Sequence, residues 1–297
     1  MHDNDLKDFK SYLLFERGLS ENTVKGYLRD LKGFYDYIDY NIQLFDLEHV
    51  EAYFCKLKDN GYKSTSIRRK IISLRQYNEF LMRSKNMPNI MDQYELPKTN
   101  KKLPDVLSLE EIVKVIKSID DSNPIGKRNK SMILLLINTG MRVSELVHLK
   151  LNDINQTASN VRVIGKGNKE RLIPLDLETC RYVYGYMQNE RSFFDKHKCQ
   201  WLFMLHDGRC MTRENFYNIL QKVVKESGVR DHFTPHMLRH TFATTLLENH
   251  ADLRSIQEML GHQDISTTTI YTHVTHKQIL DDYNKFHPGN ARRMKNE

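Results

Sequence analysis

The sequence is poor in the features that mark several large protein classes. It has four cysteines in 297 residues, Cys55, Cys180, Cys199 and Cys210, and no two stand in a C-x-x-C spacing. That excludes a disulfide framework and gives no zinc-ribbon signature; scattered thiols of this kind belong to a reducing compartment. Seven prolines and 13 glycines are too few for a low-complexity or collagen-like chain. No apolar run approaches the roughly 18 residues that a membrane-spanning helix needs. The opening stretch MHDNDLKDFK is polar and of mixed charge, without the apolar core of a secretory signal. The expectation is a soluble cytoplasmic protein with no membrane span.

What is present is enough apolar material, 39% of the chain, to bury one large core or two ordinary ones. The net charge is +7 and the isoelectric point about 9.0, which permits a polyanionic partner without requiring one. The excess is uneven: residues 1–100 carry 16 Lys and Arg against 15 Asp and Glu, and the remainder 29 against 23.

The first 86 residues read as helices only. Leu6, Phe9, Tyr12 and Leu13 recur at helical spacing before Gly18. Ser20 caps a second helix carrying Val24, Leu28, Leu31, Phe34 and Tyr35, and a third runs over 47–57. Ser64 opens a fourth, with Ile67, Ile71, Leu74 and Leu81 facing inward. Arg68, Arg69 and Arg75 lie on that helix with Lys63 just before it. They make either a solvated face or a cationic grip on phosphates. From 87 to 104 the periodicity lapses through LPKTNKKLP, the best boundary in the chain. Beyond it, Ser108 and Glu111 form a capping box, and SMILLLINTG is a buried helix stopping at Gly140. Two β-rich runs, 161–164 and 171–175, flank a Gly-Lys-Gly-Asn turn and predict a hairpin. Helical patterns return over 213–226, 235–248, 253–260 and 275–286. The fold class is mainly α with two domains: a four-helix unit over 1–86, then, after the 87–104 linker, a mixed α+β unit over 105–287, with a tail over 288–297.

Moving a phosphodiester without a metal requires fixed cations against the non-bridging oxygens, a nucleophile, a proton acceptor and an acid for the leaving oxygen. Arginine suits the first task because its planar fork stays charged. In TPHMLRHTFATTLL, Thr234 and Pro235 start a helix that puts His236 and Arg239 on one face, with Leu238, Phe242 and Leu246 buried opposite. His236 and His240 also have the spacing of a zinc helix, but Met237 stands where a glutamate would be needed. Arg142 follows the buried helix and either answers its dipole or binds a ligand. Lys166 sits at the hairpin tip with Lys169 and Arg171 beside it, as ordinary turn cations or phosphate contacts. His262 follows Gly261 directly, and Tyr271 lies in the Thr-rich segment STTTIYTHV.

Together NTGMRVSEL, GKGNKER, HMLRHTFAT, LGH and STTTIYTHV, in that order, resemble the tyrosine recombinases (phage integrase family), and most closely their bacterial Xer branch. The resemblance covers essentially the whole chain and implies a SAM-like core-binding domain followed by a catalytic domain. It implies that Arg142 and Arg239 clamp the scissile phosphate, Lys166 protonates the leaving 5′ oxygen, His236 helps accept the tyrosine proton and His262 hydrogen-bonds the phosphate. Tyr271 would then attack to form a 3′-phosphotyrosyl bond. Lys63, Arg68, Arg69, Arg75, Lys169 and Arg171 would be further DNA contacts, and Glu145 would orient Arg142. No metal and no cofactor is implied. The partners would be a double-stranded recombination site and three further subunits, of this chain or a paralogue, engaged through the C-terminal helix THKQILDDYNKF. Exchange through a Holliday junction, in chromosome dimer resolution, is the favoured task. The competing readings are an integrase or resolvase of a mobile element, a relaxing type IB-like topoisomerase, and an inactive DNA-binding regulator. One local departure stands at Asn249-His250-Ala251-Asp252, where many relatives have glycine before Ala-Asp; its loss costs about 1 kcal/mol if the position is left-handed.

Overall fold

The structure is a computed structural model that describes residues 2–92, 94–97, 106–230, 233–261 and 283. The chain forms two compact units, Met1–Lys102 and Leu103–Glu297.

The first unit is built from α1 (His2–Ser11), which runs on into a π-turn over Tyr12–Glu16, then α2 (Glu21–Tyr37), α3 (Leu47–Asp59) and α4 (Ser64–Lys85). The caps follow local chemistry: the Ser20 hydroxyl accepts from the Thr23 amide and the Asp46 carboxylate from the His49 amide. The core is aromatic. Phe9, Phe34, Phe54 and Tyr77 are wholly buried, and the Phe34 ring meets Phe45 and Tyr53 edge-on, the geometry that ring quadrupoles favour. Part of the expected linker belongs to this unit. The buried amide of Asn78 donates to the Pro88 carbonyl and accepts from the amides of Ile90 and Met91, and Met91 is 1% exposed. A lapse in periodicity therefore marks a change from helix to tethered loop, not the edge of the core.

The second unit begins with α5 (Leu109–Lys117), whose capping box at Ser108 and Glu111 forms as expected, and α6 (Pro124–Thr139). α6 carries Met132, Ile133, Leu135 and Leu136 into the core and ends at Gly140 in the left-handed region. A single turn, α7 (Val143–Leu146), follows. The hairpin forms from β2 (Asn160–Ile164) and β3 (Glu170–Pro174), antiparallel with Val161 opposite Ile173 and Val163 opposite Arg171. A two-residue strand β1 (Ile154–Asn155) adds to it, giving a three-stranded sheet in the order β1-β2-β3. Then come α8 (Leu177–Asn189), α9 (Arg213–Ser227), α10 (Pro235–Glu248) and α11 (Leu253–Leu260). Leu238, Phe242 and Leu246 are buried, as their spacing on α10 requires. Of the expected C-terminal helix only Tyr283 is described. It is wholly buried in the core of this unit, and its hydroxyl donates to the Asn138 carbonyl at 3.0 Å. Among the described residues no helix is long and apolar enough to cross a membrane.

The departure at 249–252 has a structural consequence. His250 adopts a φ of +68° while its amide and that of Ala251 close the end of α10 onto Leu247 and Leu246. A residue with a Cβ is strained there by roughly 1 kcal/mol. His250→Gly is expected to raise the melting midpoint of this unit by about 2–4 °C in calorimetry; an unchanged or lower midpoint would contradict the strain.

Candidate active site

Three motifs far apart in sequence meet where α6 and α11 end and near where β3 and α10 begin. Arg142 caps α7 and pairs with the glutamate one turn on: its amide donates to Glu145 Oε2 at 2.7 Å and its Nη1 to Oε1 at 3.1 Å. Arg171, on β3, reaches the same carboxylate from the other side, with Nη1 to Oε1 at 3.0 Å and Nη2 to Oε2 at 2.8 Å. Arg239 rises from the second turn of α10 and donates to the Gly140 carbonyl at 2.7 Å and the Leu260 carbonyl at 2.6 Å.

The end of α11 organises all three. Arg171 Nε donates to the Met259 carbonyl at 2.7 Å, Arg239 to Leu260, and Arg142 Nη2 approaches the Gly261 carbonyl at 3.4 Å. These are successive carbonyls at a helix C-terminus, where backbone acceptors are left over and the helix dipole favours cations. Gly261, at φ +64°, turns the chain there, and His262 is the next residue.

Electrostatics follow from the crowding. Burial, then the neighbouring Arg142 charge, pulls the Arg239 guanidinium down to about 10, so it stays cationic at neutral pH. Burial alone would raise the Glu145 carboxyl, but hydrogen bonds and charge from Arg171, then the amide and charge of Arg142, hold it below its ordinary value. Three guanidinium groups against one carboxylate leave a net positive pocket. Beside it opens a cleft of about 570 Å³ lined by Arg142, Glu145, His148, Lys150, Arg162 and Trp201.

The other candidate residues are placed as follows. His236 is exposed one turn before Arg239 on α10; His240 faces Thr244. Lys166 occupies the hairpin tip, within the short turn Lys166–Asn168, and Lys169 beside it is exposed. The side chain of Lys166, and the whole of His262 and Tyr271, lie outside the described residues. Arg171, expected among the turn cations, does not project from the hairpin: its side chain is 12% exposed and its donors face inward. In the first unit, Lys63 is exposed at the start of α4. Arg69 pairs with Asp30, which is 1% exposed. Arg68 and Arg75 donate to the carbonyls of Pro97 and Tyr94. These three arginines are thus engaged within their own unit, a pairing that a helical wheel of α4 alone does not reveal.

Comparison with known proteins identifies the family. The Phage integrase family matches residues 105–278, and its N-terminal SAM-like domain matches residues 6–85. The chain belongs to the phage integrase family. It is a tyrosine recombinase of the Xer type: the tyrosine recombinase XerD of Listeria monocytogenes serovar 1/2a is 43% identical over 96% of this chain and 99% of the relative. That of Halalkalibacterium halodurans is 41% identical over 96% and 98%. Among solved structures, the XerH recombinase bound to its difH substrate before cleavage has a TM-score of 0.67 at 24% identity, over 93% of this chain and 83% of that one. A lambda integrase dimer on a core site has a TM-score of 0.69 at 17% identity, over 95% and 77%. These last two show the shared fold. The protein is therefore a site-specific DNA recombinase.

The recombinase's Glu145 has a depressed pKa, so its pairing adds stability at pH above the unfolded value, 4.5, and loses it as pH falls through the folded one. In Glu145→Gln the melting midpoint is expected to fall less between pH 6 and about pH 3.5 than in the parent, and the stability at neutral pH to be lower by roughly 1–3 kcal/mol. Parallel pH curves would show that the carboxylate is not held by the arginines.

Proposed function

We propose that Arg142 and Arg239 bind the non-bridging oxygens of the scissile phosphate and that Tyr271 attacks its phosphorus. The observation that carries this is the convergence of the two guanidinium groups, from segments on either side of the hairpin, on the successive carbonyls of Leu260 and Gly261 at the end of α11. The tyrosine oxygen bonds to phosphorus and the bond to the 5′ oxygen breaks. The 5′ oxygen takes a proton from Lys166, and the tyrosine proton passes to His236. His262 donates to a phosphate oxygen. An ordinary phenol titrates near 10, and a net positive pocket favours phenolate character as attack proceeds. The phosphodiester energy is kept in the 3′-phosphotyrosyl bond, and the 5′-hydroxyl of a partner strand reverses the step.

Two such rounds through a Holliday junction exchange two duplexes. The substrate is a double-stranded recombination site, and four subunits, of this chain or with a paralogue, assemble on a pair of sites in the cytoplasm. The near full-length likeness to XerD recombinases favours resolution of chromosome dimers over a mobile-element role. Lys63 and Lys169, exposed and beside the helix start and hairpin tip, are the additional DNA contacts best placed to meet phosphates.

Incubation with a nicked suicide substrate carrying the site is expected to yield a covalent protein–DNA adduct that Tyr271→Phe abolishes. Arg239→Lys is expected to slow cleavage by about 10²–10³-fold. An adduct that persists in Tyr271→Phe would mean that another nucleophile acts.

A further inference from the structure

We infer that Arg171 is a positioning residue for strand cleavage, acting through Glu145 and the end of α11 and not by contact with DNA. The inference rests on the reading of Arg142 as a ligand of the scissile phosphate.

Of the two arginines paired with Glu145, Arg171 is the more enclosed: its side chain is 12% exposed, against 38% for Arg142. Its Nε, Nη1 and Nη2 donate respectively to the Met259 carbonyl and to the two oxygens of Glu145, at 2.7, 3.0 and 2.8 Å. Three of its five N–H donors are thus taken by groups of its own unit. The carboxylate so gripped accepts from both the amide and the Nη1 of Arg142, so Arg171 sets where Arg142 is aimed.

Two glycines make room for the guanidinium. A Cβ on Gly261 would lie 3.1 Å from Arg171 Nη1, 3.3 Å from Cζ and 3.4 Å from Nε. A Cβ on Gly165 would lie 3.3 Å from Nη1 and 3.7 Å from Glu145 Oε1. Contacts at 3.1–3.4 Å are tighter than a side chain normally accepts, and the Gly261 backbone needs a positive φ as well. Gly165 precedes Lys166, and Gly261 precedes His262. One planar fork therefore ties together the hairpin that carries the lysine, the turn that carries Arg142 and the helix end that leads to the histidine. Lysine has the charge but a single point of donation, and cannot hold two carboxylate oxygens and a carbonyl in one plane.

The test is single-turnover cleavage by Arg171→Lys on two nicked substrates, one with the natural phosphodiester and one with a methylphosphonate at the scissile position. The methyl group removes one charged oxygen, and with it part of the charge that Arg142 meets. On the phosphodiester the variant is expected to cleave about 10- to 100-fold more slowly, with DNA affinity within about twofold of the parent and an unaltered salt dependence. On the methylphosphonate the deficit should shrink to under about threefold. The ratio of the two rates, taken on one preparation, does not depend on the folded fraction, so a loss of stability cannot imitate it. An equal deficit on both substrates would overturn the inference in favour of a general structural role. A weakened affinity would overturn it in favour of a phosphate contact, and Arg171→Gln, which removes the charge, would then show a salt slope shallower by about one unit. Arg142→Lys run alongside separates the two layers of the reading. If it cleaves at the parental rate, the phosphate assignment itself fails. If it is slow while Arg171→Lys is normal, only the present inference fails.

Discussion

One buried carboxylate answering more cations than it can neutralise is the constraint on which the catalytic unit turns. Glu145 faces Arg142 and Arg171 directly, and Arg239 stands close enough to feel all three charges. Burying guanidinium groups is costly unless their donors are satisfied, and here the satisfying acceptors are the leftover carbonyls at the end of α11 and the end of α6. The pocket is left about two charges positive among the described residues. A phosphodiester brings one negative charge, and the pentacovalent species on the way to cleavage brings two. Such a pocket binds the second better than the first, which is what acceleration requires.

The first unit solves a different problem with similar means. Asp30, buried on α2, is met by Arg69, Lys70 and the Ser73 hydroxyl on α4. Removing one partner from such a cluster leaves a buried charge uncompensated, which is more costly than never having built it. A helix that carries several arginines therefore uses some of its charge to fasten itself to α2. Burial likewise raises the hydroxyl pKa of Tyr35, to about 12, and that of Tyr77, its hydrogen-bonding partner; both stay neutral and serve packing.

Much of this was legible in the chain because the signals were local. Helix starts at Ser20, Ser108 and Thr234, the stop at Gly140 and the hairpin around Gly-Lys-Gly-Asn each follow from a few adjacent residues. α8 was not anticipated. Its buried Cys180, Val183 and Tyr186 make a narrow stripe among tyrosines and charged residues, and Gly185 weakens the helical pattern. β1, two residues long, is too short to show alternation. The inward turn of Arg171 was hidden for a stronger reason. In NKERL it stands among turn cations, and the groups that capture it come from the turn after α6 and the end of α11. The pairing of Arg69 with Asp30 was hidden in the same way, by the distance in sequence between α2 and α4.

The central claim is that Arg171 and Glu145 act as one device. A double-variant cycle on single-turnover cleavage, with Glu145→Gln, Arg171→Lys and both together, tests it most directly. The account predicts that the double variant cleaves no more than about twofold slower than the slower single variant, because each change breaks the same link. Deficits that multiply in full would show two independent contributions and contradict it.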